Sequence, residues 1–147
     1  MPGRFEGTTV IDRPIEEVFA FLADGTNDTK FSPRVQEIRQ TTDGPPGKGT
    51  RYASTVKDAG MTTTREFELT EFVAPTTIRW AERSKNTVTA SEGGYDLVSE
   101  GTGTRVTIHN VLEGHGFGKL IAPLALRAAR KDAPEFAARI KAAVEAS

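Results

Sequence analysis

Apolar and polar residues alternate with a period of two through most of the chain between residues 4 and 114. Such alternation is typical of strands that bury one face and leave the other wet, as antiparallel sheets do. In one example, Phe67 and Leu69 alternate with Glu66 and Glu68. The pattern, punctuated by Gly, Pro, Asp and Asn, predicts strands at 4–11, 34–40, 49–58, 62–74, 76–84, 93–101 and 104–114.

Two short helical segments are predicted directly after the first strand. Pro14 suits a first helical turn, Asp12 can cap the free N–H groups, and the apolar residues from Ile15 to Leu22 follow the i, i+3, i+4, i+7 spacing. The turn-rich stretch Asp24–Asp28 ends this helix and offers caps for one further turn reaching Phe31. Both segments are therefore short, and the first has a single apolar face.

After Gly116 the apolar residues change to a helical period that runs to about residue 145. Pro123 falls in the first turns of this helix, but Pro134 lies in the middle of the pattern. We expect Pro134 to kink the helix or divide it, with Asp132 as the cap of a second segment. The apolar positions are Phe117, Leu120, Ile121, Leu124, Ala128, Phe136, Ile140 and Val144.

Composition and charge exclude several classes of protein. The 147 residues suit one domain, residues 1–147, with a core large enough to hold a cavity. The net charge of −1 argues against a nucleic-acid partner, and the absence of cysteine removes disulfides and thiolate chemistry. Neither a signal peptide nor a membrane-spanning stretch is evident, so we expect a cytoplasmic protein without membrane insertion. Nothing in the sequence calls for a cofactor.

The order of elements, together with four stretches, resembles the START-like (SRPBCC) superfamily, within it the polyketide cyclase/dehydrase-like branch. The stretches are IDRPIEEVFAFLAD followed by KFSP, then GPPGKGTRY, then GTGTRVTIHNVLEG. Phe31 stands where family members more often carry Trp. The resemblance covers essentially the whole chain and implies an α+β helix-grip fold. In that fold, a seven-stranded curved antiparallel sheet wraps around the long C-terminal helix, and the two short helices support one end.

A curved sheet and one helix fill the space between them incompletely, so this fold leaves room for a ligand cavity. Strand parity directs a set of mainly aromatic side chains inward, although packing in the core would explain them equally well. From the helix we expect Leu120 and Leu124 to complete the wall. The predicted ligand-binding residues are therefore Tyr52, Phe67, Trp80, Glu82, Tyr95, Leu97, Asn110, Leu120 and Leu124.

Glu82 and Asn110 are polar residues on inward-facing parity. A carboxyl group that loses its solvation there could serve as a general acid or orient a ligand. The alternative is that both lie near strand ends, where the face is already wet. The sequence leaves both interpretations open.

The two histidines differ in predicted position. His115, between two glycines before the long helix, could line the cavity mouth and shuttle protons, or be solvated. His109 has outward parity, so we expect it to face solvent on the convex side. Spacing suggests no third ligand beside either one, which argues against a metal site.

Three functions are compatible with these features. The first is binding of a small hydrophobic molecule, such as a lipid, isoprenoid or polyketide-like compound, in the cavity. The second, implied by the family branch, is a cyclase, aromatase or dehydratase that uses acid/base groups, with Glu82, Tyr95 and His115 as candidates. The third is a protein-interaction module, which the charged convex parity disfavours. Both a monomer and a homodimer are compatible with the sequence.

Overall fold

Seven antiparallel strands form one curved sheet in the computed structural model, which describes residues 3–58 and 60–147. Two helices, α1 (Ile15–Ala23) and α2 (Gly118–Glu145), and a 3₁₀ helix (Gly25–Lys30) accompany it. The order across the sheet is β1-β7-β6-β5-β4-β3-β2, so the predicted helix-grip fold is confirmed. The strands are β1 Gly3–Ile11, β2 Val35–Gln40, β3 Arg51–Asp58, β4 Met61–Val73, β5 Thr77–Glu82, β6 Val88–Glu100 and β7 Gly103–Gly114.

The predicted β6 began five residues too late, at Gly93 and Gly94. They lie in the middle of the strand, which starts at Val88 and carries a bulge between Ala90 and Glu92. A Cβ atom on Gly93 would lie 2.2 Å from Trp80 Nε1 and 2.2 Å from Asn110 Oδ1. Glycine is required here by the close approach of these neighbours and not by a turn.

Helix α2 runs as one helix through both prolines, so of the two outcomes expected at Pro134, a kink or a division, the division does not occur. Asp132 does not cap a second segment, because its carboxylate accepts a hydrogen bond from Arg139 Nη2 at 2.9 Å. Pro134 lies on the exposed face, where water can satisfy the carbonyl group that loses its amide partner. The opposite face is buried on the sheet at Ala133, Ala137 and Ile140, which lie on both sides of Pro134.

The N-terminal elements form as predicted, except for the cap of α1. Pro14 is its N-cap residue, and its carbonyl accepts from Glu17 N and Val18 N. Asp12 makes no cap, since its own amide donates to the Glu145 carboxylate at the end of α2. The strand end is thereby attached to the C-terminus of the long helix.

Helix α2 lies over one half of the sheet. It packs against β1 and β7 and touches β6, while α1 packs on β6 and β7. The shared core lies here and is formed by Ile11, Val18, Leu97, Val106, Ile140 and Val144. The concave face of β2 to β5 lies beyond the main contacts of both α-helices, with the 3₁₀ helix packed on β2, and the space beside it becomes a cavity.

Candidate functional site

A cavity of about 570 Å³ lies between the concave face of the sheet and α2. Every strand contributes to its wall, together with the end of α1, the 3₁₀ helix and the loop that follows. The wall is largely apolar, as is usual for small-molecule sites. A shallower depression of about 380 Å³ lies beside α1, and Asp24, its one titratable lining residue, already accepts hydrogen bonds from Thr26.

Six of the residues predicted from strand parity line this cavity. Cross-strand register explains why they converge, since Tyr52 pairs with Phe67, Phe67 with Glu82, and Trp80 with Gly93. Gly93 pairs in turn with Asn110. The set in the wall is Tyr52, Phe67, Trp80, Glu82, Tyr95 and Asn110. Their role in binding a ligand stays a prediction.

Three other predicted residues lie outside the wall. Leu97 is packed in the core, and the placement of Leu120 and Leu124 was wrong because their side chains are 76% and 68% exposed. Helix α2 instead turns a row of alanines toward the cavity, namely Ala125, Ala128, Ala129 and Ala133. Small side chains leave the space open, whereas a leucine row facing inward would fill it.

Neither histidine lines the cavity. His115 is exposed, and its Nε2 lies 2.9 Å from the Thr89 hydroxyl, which does belong to the wall. His109 has the predicted convex parity but is 2% exposed, so its predicted contact with solvent was wrong. Its cross-strand neighbour Gly94 has no side chain, and Arg79 packs into that space, so this part of the convex face is covered.

Glu82 has lost its solvation as predicted, with a side chain that is 1% exposed. Its carboxylate accepts from Arg65 Nη1 at 3.1 and 3.2 Å, and from the amide of Ala90 at 2.9 Å. Ser84 and Asn86 donate to Oε2 at 2.6 and 3.0 Å. Every one of these bonds runs into the carboxylate, which is the arrangement that stabilises an anion. We call Glu82 and these four partners the Glu82 cluster; it fixes Arg65 and the start of β6.

Asn110 and Tyr95 are polar residues of the wall whose hydrogen-bonding groups are not all used within the protein. Trp80 Nε1 donates to Asn110 Oδ1 at 3.1 Å, which orients the amide of Asn110. Among the described residues, no group makes a hydrogen bond with Asn110 Nδ2 or with the Tyr95 hydroxyl. Tyr95 packs edge to face on Trp80, with ring centroids 5.0 Å apart. Burial, helped by the charge of Asp28, raises the pKa of Tyr95 well above its ordinary value, so it is a neutral hydroxyl.

Asp28, on the 3₁₀ helix, is a site residue that the sequence analysis missed. It lines the cavity, and its carboxyl group accepts no hydrogen bond from the described residues. Burial, and then the neighbouring Asp24, raise its pKa from 3.8 to about 7. We call Asp28, Tyr95 and Asn110 the open set. The sequence pattern offered one signal, the two aspartates four residues apart, which we interpreted as caps in a turn.

Tyr52 contrasts with Tyr95 although both line the cavity. Its hydroxyl accepts from Gly25 N and donates to Ala23 O, each at 3.3 Å. It therefore ties β3 to the end of α1 and the start of the 3₁₀ helix. Burial is the main cause that raises the pKa of Tyr52.

Two ion pairs join the rim of the cavity. Arg34 Nη1 lies 3.5 Å from Asp58 Oδ2, and Arg139 Nη2 lies 2.9 Å from Asp132 Oδ2.

Among residues 3–58 and 60–147, no three His, Asp or Glu side chains are grouped as a metal ion would require. No helix in that part of the chain is long and apolar enough to cross a membrane.

A family model described as polyketide cyclase/dehydrase and lipid transport matches residues 2–145. The chain belongs to this family. No curated protein sequence matches the chain. The match agrees with the START-like fold and with the cavity that this fold leaves beside its long helix.

Solved structures with the same fold include proteins from several bacteria. TTHA0849 from Thermus thermophilus superposes with a TM-score of 0.80 at 19% identity, over 98% of each chain. The Zhui aromatase/cyclase from Streptomyces sp. R1128 gives 0.79 at 13% identity, over 99% of this chain and 94% of that one. A START superfamily protein from Mycobacterium smegmatis gives 0.77 at 14% identity, over 97% of each. At these identities the likeness shows the fold.

Proposed function

We propose that the protein binds a small hydrophobic molecule with polar substituents in the cavity beside α2. The observation that carries this proposal is the wall itself: a largely apolar surface around about 570 Å³ that presents the open set to the interior. This volume lies within the range of about 300–1,000 Å³ that is usual for small-molecule sites. Apolar burial supplies the affinity, at about 25 cal/mol per Å² before the costs of association.

The open set favours a rigid ligand that carries carbonyl and hydroxyl groups. Asn110 Nδ2 can donate to a carbonyl oxygen, and Asp28 can accept from a hydroxyl group. The Trp80 and Tyr95 rings offer faces and edges against which a planar molecule packs. These features support a polyketide-like aromatic compound over a fatty acid, and one structural neighbour, which is named an aromatase/cyclase, supports the same class.

Trp80 makes the proposal directly measurable, because it is the chain's one tryptophan and lies in the wall. We expect a dihydroxyanthraquinone to quench its fluorescence saturably and to bind more tightly than palmitate. Asn110→Leu keeps the branched shape and the number of heavy atoms but removes the donor, so the affinity should fall about tenfold. Thr107→Val, on the same strand but the convex face, is the matched control. Absence of saturable binding for both probes would contradict the proposal.

Acid/base catalysis is the second candidate, and Asp28 is the observation that favours it. A carboxyl group with a pKa of about 7 can both take and return a proton near neutral pH. In an aldol-type ring closure, Asp28 would remove a proton from the methylene between two carbonyl groups, and the resulting enolate carbon would attack a third carbonyl carbon. Protonated Asp28 would then return this proton to the alkoxide oxygen, which forms the aldol hydroxyl. The same carboxylate would next remove the second proton of that methylene and pass it to the hydroxyl, which leaves as water while the carbon–carbon double bond forms. Tyr95 and Asn110 would donate to the carbonyl oxygen that gains negative charge.

Asp28→Asn distinguishes an enzyme from a carrier. An enzyme should lose turnover while it still binds the anthraquinone, whereas a carrier should change only in affinity or selectivity. Glu82→Gln is a poorer test, because its carboxylate holds Arg65 and the start of β6 and its loss disturbs the wall. His115→Gln serves as the control, since this side chain lies outside the wall.

A further inference from the structure

The first turns of α2 expose a row of large apolar side chains. Phe117, Leu120, Ile121 and Leu124 are 82%, 76%, 47% and 68% exposed. Their spacing of i, i+3, i+4 and i+7 puts them on one stripe, which we call the apolar face of α2. Soluble proteins seldom leave a contiguous row of this kind uncovered without a function.

The helix cannot rotate to bury this face. A Cβ atom on Gly118 would lie 1.6 Å from the Thr87 carbonyl oxygen, so the helix start is pressed against the chain before β6. The amide of His115 also donates to Thr87 O at 2.8 Å. On the opposite side Ala122 is buried, and Ala125 and the alanines after it line the cavity. The apolar face is thus fixed toward the outside.

The stretch of chain that carries the apolar face has positive charge alone. Between His115 and Lys131 the sequence has no Asp or Glu, while Lys119, Arg127, Arg130 and Lys131 contribute four cations. The whole chain has a net charge of −1, so the charge is concentrated on this stretch. Lys119, Arg127 and Lys131 are exposed, and Arg130 donates to the Arg4 carbonyl.

We propose that the first half of α2 docks on the surface of an anionic lipid bilayer. The apolar face would enter the boundary between headgroups and acyl chains, and the lysine and arginine side chains would contact lipid phosphates. A second copy of the chain fits less well, because a two-fold contact through this face would bring the cations of both copies together. The occupant that matches both features is a surface that is apolar inside and negatively charged outside.

This interface goes beyond the proposed function and does not depend on it. The same helix that presents the apolar face outward lines the cavity with Ala125, Ala128 and Ala129. Docking would therefore bring the cavity to within about one helical turn of the bilayer. A hydrophobic ligand could then pass between membrane and cavity with a short path through water.

Vesicle flotation of the full chain, with no cavity ligand added, tests the proposal. We expect the protein to float with phosphatidylcholine vesicles that contain about one-third phosphatidylglycerol, and at least about tenfold less with phosphatidylcholine alone. Raising the salt from about 0.05 M to about 0.5 M should release most of it. Equal flotation with both kinds of vesicle, or with neither, would overturn the proposal.

Variants distinguish binding through the apolar face of α2 from nonspecific adsorption to vesicles. Leu120→Ser with Leu124→Ser, both at exposed positions, should reduce vesicle binding at least about tenfold without changing the melting temperature. Arg127→Glu with Lys131→Glu should do the same on anionic vesicles. Val98→Ser, which removes an exposed valine from the sheet, and Lys57→Glu are the matched controls and should bind like the parent chain.

A second copy as the occupant would give a different pattern. Sedimentation velocity would then show a dimer that the double serine variant converts to a monomer, while flotation of the parent chain stays at background. That pattern would refute the bilayer interface. It would leave the cavity proposal untouched, because anthraquinone binding is measured separately and without vesicles.

Discussion

Two carboxyl groups in the same cavity wall differ in nearly every respect that matters for chemistry. Glu82 accepts hydrogen bonds from Arg65, Ser84, Asn86 and Ala90, whereas Asp28 accepts none from the described residues. The Glu82 side chain is 1% exposed and Asp28 is half-buried, so both have lost much of their solvation. The Glu82 carboxylate is surrounded by donors, whereas Asp28 has none among the described residues and burial raises its pKa to about 7. The number of donors that compensate a buried charge determines which group stays free to react.

The largest effect should come from breaking the Glu82 cluster. Glu82→Gln leaves Arg65 without its counter-ion inside the wall and removes an acceptor from Ala90. We expect the free energy of unfolding to fall by about 3 kcal/mol, measured by urea denaturation. Glu68→Gln is the matched control: its carboxylate also contacts two arginines, but on the convex face. Its loss should stay below about 1 kcal/mol.

Asp28→Asn should act in the opposite direction and depend on pH. An unfolded aspartate titrates near 3.8 and the folded Asp28 near 7, so the folded chain holds an extra proton between these values. Its stability therefore falls as the pH rises through this window, and an uncharged Asn avoids that loss. The full shift is equivalent to about 4 kcal/mol near pH 8, and solvent screening of the half-buried Asp28 leaves about half of it. We therefore expect a gain of about 2 kcal/mol near pH 8 that vanishes near pH 4.

Asp58→Asn at the exposed rim is the control for that experiment and should change stability little at either pH. Urea denaturation at a series of pH values makes the comparison. If Asp28→Asn destabilised the chain near pH 8, the carboxylate would have partners that compensate its charge, and the contrast with Glu82 would be lost.

Substitutions of the two tyrosines of the wall should have the smallest effects, and they should affect stability and ligand affinity in opposite ways. Tyr52→Phe removes a hydroxyl with two protein partners, so the free energy of unfolding should fall by about 1 kcal/mol while anthraquinone affinity is kept. Tyr95→Phe removes a hydroxyl without a described partner, so stability should change by less than about 0.5 kcal/mol. The affinity of the Tyr95→Phe variant for the anthraquinone should fall several-fold. Identical effects of the two substitutions would contradict the division into satisfied and open groups.

Strand parity identified the sheet side of the cavity well. Trp80, Tyr95 and Asn110 are where a period of two puts them, because one face of each strand must be buried if the other is charged. Parity could not say how far along a strand the cavity extends. Leu97 therefore shares the parity of Tyr95 but packs in the core, since α1 and α2 close over that end of the sheet.

The helix side was harder, because α2 has two faces that could be buried. From the large side chains of α2 we predicted that Leu120 and Leu124 face inward. In the structure the alanine face lines the cavity, and both leucines are exposed. A helical period shows which residues share a face and leaves open which face meets the sheet. Close contact of Gly118 with Thr87 decides the rotation, and that contact joins residues 31 positions apart.

The curved sheet around its long helix was implied by the resemblance to the START-like superfamily. By itself the sequence pattern determined the order of the elements and the inward set of aromatic residues. These depend on periodicity and on short-range turn chemistry, which any stretch of ten residues carries within itself. The tertiary structure alone decided that Asp28 faces the cavity without donors, that Glu82 is fully compensated, and that leucines of α2 face outward. Each of these depends on the desolvation and contacts that distant segments impose, and such free energies exist only once the segments have packed together.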